Sequence, residues 1–199
     1  MRNGLSKDLI ARVLGGVPKY TLEELENKFP PRNLKEGAFV TRFAPSPTGF
    51  MHIGNLYGAL IDYKLANQSD GVFMLRIEDT DTKREVEGAV DVVKNAIHSF
   101  GLEYNNDEKY GPYYQSKRKD IYHSVAAYLL EKGWAYPCFL KPEEMEEIRE
   151  KQKAAGWATG IYGEWARDRD LTEDEIIAHL DNGEMPSIRL YSTGNPDTR

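Results

Sequence analysis

The segment at residues 44–49, Ala-Pro-Ser-Pro-Thr-Gly, constrains this chain more than any other. Two prolines and a glycine within six positions exclude regular structure and stiffen the backbone. The run before it, residues 38–43, is mostly apolar and reads as a short buried strand. After it, residues 54–69 place Leu56, Leu60, Tyr63 and Leu65 near helical spacing. A strand therefore runs into a rigid loop that delivers His52 and Gly54 to the start of a helix. In open α/β sheets, ligands bind just beyond the carboxyl ends of strands. A helix N-terminus offers unpaired amides and a positive dipole to phosphate. Gly54 lets the chain approach a ligand closely, and His52 can donate to a phosphate oxygen. Taken alone, His-x-Gly has a simpler reading, a capped helix after an ordinary loop.

The remaining chain alternates in the same way. Residues 72–77 read as a second buried strand. Residues 85–100 read as a helix with the stripe Val86, Val90, Val93, Ile97 and Phe100, closed by Gly101. Further helices are expected at 116–132, 143–155 and 172–182, where Thr172 and Glu175 form a capping-box pattern, and a strand at 187–191. The order strand, helix, strand, helix, helix implies an α/β fold with a parallel sheet. Residues 1–37 form a leader with two short amphipathic segments, 6–14 and 21–28, ended by Pro30-Pro31.

Forty per cent hydrophobic residues suffice for a core, and no apolar run reaches the roughly 20 residues that span a bilayer. A single cysteine, Cys138, excludes an internal disulfide framework. These features fit a soluble, cytoplasmic protein. The formal net charge of −6 votes against RNA as a partner, though a local basic face can sit on an acidic protein.

The string from Arg42 to Asn55, with Arg-x-Ala-Pro-Ser-Pro-Thr-Gly followed by His-x-Gly, resembles the nucleotide-binding signature of the glutamyl-tRNA synthetases. Arg76-Ile77-Glu78-Asp79-Thr80-Asp81, Gln115-Ser116-x-Arg118 and Ala135-Tyr136-Pro137-Cys138-Phe139 extend the resemblance, which runs from about Pro30 to the end. It implies the first half of a Rossmann-like catalytic domain over 38–133, part of an inserted tRNA acceptor-binding domain over 134–199, and an N-terminal extension over 1–37. It further implies ligation of L-glutamate to tRNA(Glu) through a glutamyl-adenylate, with ATP and Mg2+, by an enzyme monomeric at full length. Arg42, Ser46 and Glu78 match positions that hold glutamate. His52, Gly54 and Asn55 match catalytic ATP-binding positions, bordered by Ala44 and Pro45. The chemistry agrees: an arginine fork suits a carboxylate, and Glu78 can pair with an ammonium. For any two charges, an ordinary ion pair is the plainer alternative.

The general class I signature ends in a second histidine, where this chain has Asn55. A glutamyl-queuosine tRNA synthetase paralogue shares much of the loop but typically carries Leu where Thr80 stands here. In many relatives the inserted domain holds zinc through Cys-x-Cys and later ligands. Here Leu140 and Asp168 stand at two of those positions, so no zinc is expected. Lys117, Arg118, Lys119, Lys141, Arg149, Lys151, Lys153 and Arg167 are candidate phosphate contacts, or else solvate helix faces. No lysine-bearing ATP loop is found up to Arg199. The chain is therefore expected to be an N-terminal portion, inactive alone; a non-catalytic binding module that keeps the pocket is the alternative.

Overall fold

The computed structural model describes residues 3–49, 51–81, 83–84 and 86–194. In chain order its elements are α1 (Lys7–Leu14), α2 (Leu22–Lys28), β1 (Val40–Phe43), α3 (Ile53–Gln68), β2 (Val72–Leu75), α4 (Ala89–Ser99), α5 (Lys119–Glu131), β3 (Ala135–Cys138), α6 (Pro142–Ala154), α7 (Glu173–Asp181) and β4 (Ser187–Leu190). They fall into two compact units. One comprises Glu23–Asp120, the other Met1–Leu22 with Ile121–Arg199.

In the Glu23–Asp120 unit, β1 and β2 pair in parallel, from Val40 opposite Val72 to Phe43 opposite Leu75. α3 supplies the crossover. Side chains alternate across the sheet, so Phe73, Leu75 and Ile77 share one face. That face is buried with Ala59 and Ala66 of α3, Val93 and Ile97 of α4, and Leu102. Burying one such large side chain contributes about 1.5–3 kcal/mol. Tyr63 meets Phe73 edge-on at 5.8 Å. The other face presents Met74 and Arg76, with Arg42 on the neighbouring strand. Register is set where Gly71 passes β1: the Val72 N–H donates to the Phe39 carbonyl at 2.9 Å. A Cβ on Gly71 would lie 1.9 Å from that oxygen, so only glycine fits.

Two readings of this unit need correction. Residues 38–43 do not form a buried strand. Among the described residues β1 pairs with β2 alone, and Val40 is 48% exposed. The fourth helix starts at Ala89, later than the stripe implies, because Gly88 before it is left-handed at φ 79°. Val93 and Ile97 are buried as the spacing requires, but Val86 and Phe100 are exposed. Glu85 lies outside the described residues.

In the second unit, the leader contributes directly to the core. Leu5, Leu9, Ile10 and Val13 are buried against Leu130, Ala135, Phe139 and Ile176. The Leu5 N–H donates to the Leu130 carbonyl at 3.1 Å. Ser6 donates its N–H and hydroxyl to the Glu173 carboxylate at 2.6 and 3.0 Å, and Arg12 pairs with Asp181. α7 starts with the expected capping box between Thr172 and Glu175. The 187–191 strand, β4 in the structure, does not join the parallel sheet; it pairs antiparallel with β3, Pro137 opposite Ile188. β3 escapes pattern reading because a proline in a short run argues against a strand. No helix among the described residues is long and apolar enough to cross a membrane.

The burial of α1 makes a direct test. Leu9→Ala should destabilise this unit by about 2–5 kcal/mol, whereas Lys7→Ala on the exposed face should stay within roughly 0.5 kcal/mol. Chemical denaturation followed by circular dichroism measures both. Equal, negligible effects would mean that α1 is not part of the core.

Candidate active site

Main-chain bonds carry the β1–β2 ladder beyond the strand ends. Arg76 N–H donates to the Phe43 carbonyl at 3.0 Å, Glu78 N–H to Pro45 at 2.9 Å, and Val86 N–H to Pro47 at 3.0 Å. The stiff loop is thereby laid along the exit of β2. Pro45, next to Ser46, is bonded to the backbone of Glu78, so the 44–49 and 76–81 segments form one surface at the carboxyl end of the sheet. Ala44 and Pro45 are half-buried beneath it, and Ser46 is exposed.

Arg42 and Glu78 do not pair with each other. Glu78 accepts from Arg76, whose Nε and Nη2 approach the same Oε1 at 2.9 and 2.6 Å, with both side chains 21% exposed. Both residues lie two apart just past the end of β2, and this pair was not read from the sequence. Arg42 makes no ion pair among the described residues. Its charge acts on Asp62, whose carboxyl is pushed up by burial and pulled partly back by the guanidinium.

His52 is the N-cap of α3. Its Nδ1 accepts the Gly54 N–H at 3.2 Å, while the Asn55 Oδ1 accepts the His52 N–H at 3.2 Å. A neutral imidazole that accepts at Nδ1 carries its proton at Nε2, so the exposed ring keeps a donor beyond the helix. A Cβ on Gly54 would lie 3.0 Å from the ring, which accounts for glycine there. Asn55 thus has a structural task that its amide oxygen fulfils, leaving its NH2 group available.

Residues 38–197 match the family model for the catalytic domain of class I tRNA synthetases of the E and Q type. The chain belongs to this synthetase family. It is 55% identical over 176 residues to a glutamate–tRNA ligase of Acetivibrio thermocellus, covering 85% of this chain and 32% of that protein. With the Clostridium beijerinckii glutamate–tRNA ligase it shares 49% identity over 98% of this chain and 37% of the relative. A crystal structure of the Elizabethkingia meningosepticum glutamate tRNA ligase in complex with its amino acid superposes with a TM-score of 0.63 at 38% identity, covering 75% and 32% of the two chains. The chain thus spans about a third of the length of the relatives it matches.

Two further arrangements in this synthetase chain were not read as units from the sequence. Behind the 76–81 segment, Asp79 accepts from the Ser116 N–H at 2.8 Å and its hydroxyl at 2.6 Å, and Thr80 donates to Gln115 at 3.2 Å. Partial burial raises the Asp79 carboxyl, but the Ser116 bonds outweigh it and hold the group below the usual range. In the other unit, buried Asp168 accepts the Phe139 N–H at 2.7 Å and pairs with Arg167 at 3.1 Å. Arg167 reaches Glu144 at 2.7 Å, and Glu144 caps Lys141 at 2.8 Å. A chain of charge-assisted bonds therefore ties the end of β3 to the start of α6. Cys138 is buried, and Leu140 packs in the Tyr136 cluster. Among the described residues, no three His, Cys, Asp or Glu side chains group so as to hold a metal ion. Of the basic candidates, Arg149 and Lys153 pair with Glu146 and Glu150, and Arg118 donates to the Pro112 carbonyl.

A depressed Asp79 pKa stabilises the fold above the unfolded value of about 3.9, and this contribution is lost as pH falls through the lower folded value. An NMR titration should therefore place the Asp79 midpoint below about 3.9, and Ser116→Ala should move it upward. A midpoint unaffected by Ser116→Ala would assign the shift elsewhere. Asp168→Ala leaves the buried Phe139 N–H without a partner and should cost about 1–3 kcal/mol. Thermal unfolding would measure this, and Asp168→Asn, which keeps an acceptor, should recover part of it.

Proposed function

We propose that this chain is the glutamate- and ATP-holding portion of a glutamate–tRNA ligase. The observation that carries the reading is the ladder that joins Pro45 to Glu78. It sets the loop bearing Ser46, and the cap bearing His52, around one carboxyl end of a parallel sheet. In this reading Arg42 takes the side-chain carboxylate of glutamate through its unpaired fork. Ser46 bonds the amino acid. Glu78, oriented by Arg76, keeps one carboxylate oxygen for the α-ammonium.

His52 and the α3 N-terminus fit the triphosphate. The Nε2–H and the free amides of a capped helix are donors suited to phosphate oxygens, and Gly54 leaves them uncrowded. Asn55 adds its NH2 group, and Ala44 and Pro45 border the nucleotide. The α-carboxylate of glutamate attacks the α-phosphorus of ATP, and the bond to pyrophosphate breaks. These residues position the reactants and stabilise phosphate charge; none needs to become a covalent nucleophile. Mg2+ accompanies the triphosphate and neutralises part of its charge.

The tRNA(Glu) acceptor end is proposed to meet the inserted region from about Trp134, with 38–133 as the first part of the catalytic domain. The identities of about 50% to glutamate–tRNA ligases support this reading over the glutamyl-queuosine paralogue.

Calorimetry with a non-hydrolysable glutamyl-adenylate analogue and its glutaminyl counterpart tests the assignment. The glutamyl form should bind at least about tenfold tighter, because glutamine leaves Arg42 without its counter-charge. Arg42→Ala should erase the difference. Equal affinities for the unsubstituted chain would refute the glutamate assignment.

A further inference from the structure

The sheet face opposite α3 and α4 carries a second concentration of charge. Arg42, Met74 and Arg76 form its floor. Arg32 from the leader and Arg118 form its walls, with Phe29, Tyr110 and Tyr113, around a cavity of about 200 Å³. Four arginines line it and none of its other lining residues is acidic, while Arg76 is paired with Glu78. Arg32 stacks on the Tyr110 ring at 3.7 Å from its centroid, and its Nη2 reaches the Met74 sulfur, a weak acceptor, at 3.3 Å. Arg118 lies 5.7 Å from the Phe29 ring centre and donates Nη1 to the Pro112 carbonyl at 2.9 Å, while its Nε is buried with no hydrogen-bond partner among the described residues. Stacking holds a guanidinium by its face and leaves its in-plane donors free. Arg32 and Arg118 are half-buried and Arg42 is exposed, so this cluster of like charges is open to an anion from solution. Phe29 and Arg32 also lie before residue 38, where the family match starts, so the leader contributes part of this cavity.

We propose that Arg32 and Arg118 form an oxyanion site for a phosphate group, beside the position assigned to glutamate. A tetrahedral oxyanion can accept from several in-plane N–H donors at once, which the two guanidinium forks supply. The site goes beyond the glutamate reading and shares only Arg42 and Arg76 with it. The phosphate comes either free or as part of a mononucleotide.

The test is titration of the full chain with inorganic phosphate at low ionic strength, by calorimetry and by the arginine Nε–H signals in NMR. Saturable one-site binding is expected, with the Arg118 signal moving. Arg32→Gln and Arg118→Gln should each weaken it at least fivefold, Arg118→Lys should lie between, and Lys7→Gln, on the exposed face of α1, should have no effect. Circular dichroism checks that each variant is folded. Non-saturating binding, or binding unchanged in the Arg32→Gln and Arg118→Lys variants, overturns the proposal. AMP supplies the second arm, read in a His52→Ala background so that the proposed triphosphate position does not contribute: AMP binding tighter than phosphate and weakened by Arg32→Gln assigns the group to a nucleotide, and AMP binding no tighter than phosphate assigns a free oxyanion. The glutamyl-adenylate analogue separates the two sites. Its affinity should survive Arg32→Gln and fall with Arg42→Ala. If Arg32→Gln weakens the analogue and phosphate alike, the two are one site and the proposal fails. If phosphate binds as expected but the analogue shows no glutamyl preference, the glutamate reading fails alone.

Discussion

The register of β1 against β2 is the constraint from which the site follows. It is fixed where Gly71 passes within contact of the Phe39 carbonyl, a passage that any side chain would block. From that point each main-chain bond determines the next, through Phe43 and Arg76 to Pro45 and Glu78. A slip of β2 by one residue would send Met74 and Arg76 towards the apolar face and bring Phe73 and Leu75 out. The cost of burying a guanidinium group, added to the loss of that packing, makes the register unambiguous. The proline loop then needs no regular structure of its own, because β2 and the segment after it supply its partners.

The two units solve a shared problem, the ends of short strands, by different means. In one, the strand ends are held by the loop and by Asp79 bound to Ser116. In the other, the exit of β3 is held by a buried carboxylate. Asp168 bonds a main-chain amide and a guanidinium together, and a carboxylate so satisfied tolerates burial that an unpaired one would not. α1 then closes the apolar side of the same unit, with Leu5, Leu9, Ile10 and Val13 covering Leu130 and Ile176. The leader is thereby a core element of one unit. Through Phe29 and Arg32 it is a wall of a charged cavity in the other.

The sequence by itself determined most of the local elements and the family. The rigid loop, the helix after it, the capping box at Thr172 and the apolar stripe through Val93 and Ile97 all depend on residues close in the chain, so spacing reveals them. The leader helix was legible as amphipathic, but its partner was not, since Glu173 and Ile176 lie more than 160 residues away. β3 was hidden by Pro137, and β4 was assigned to no partner, because strand pairing is decided across long separations. For the site, the residue types at Arg42, Ser46, His52 and Glu78 were readable. Only the tertiary structure decided that Glu78 pairs with Arg76, that His52 presents Nε2, and that Arg32 and Arg118 converge on the sheet face bearing Arg42. Periodicity records which side of an element is apolar. It does not record which charges meet there, because that depends on distances set by the packing of elements far apart in the chain.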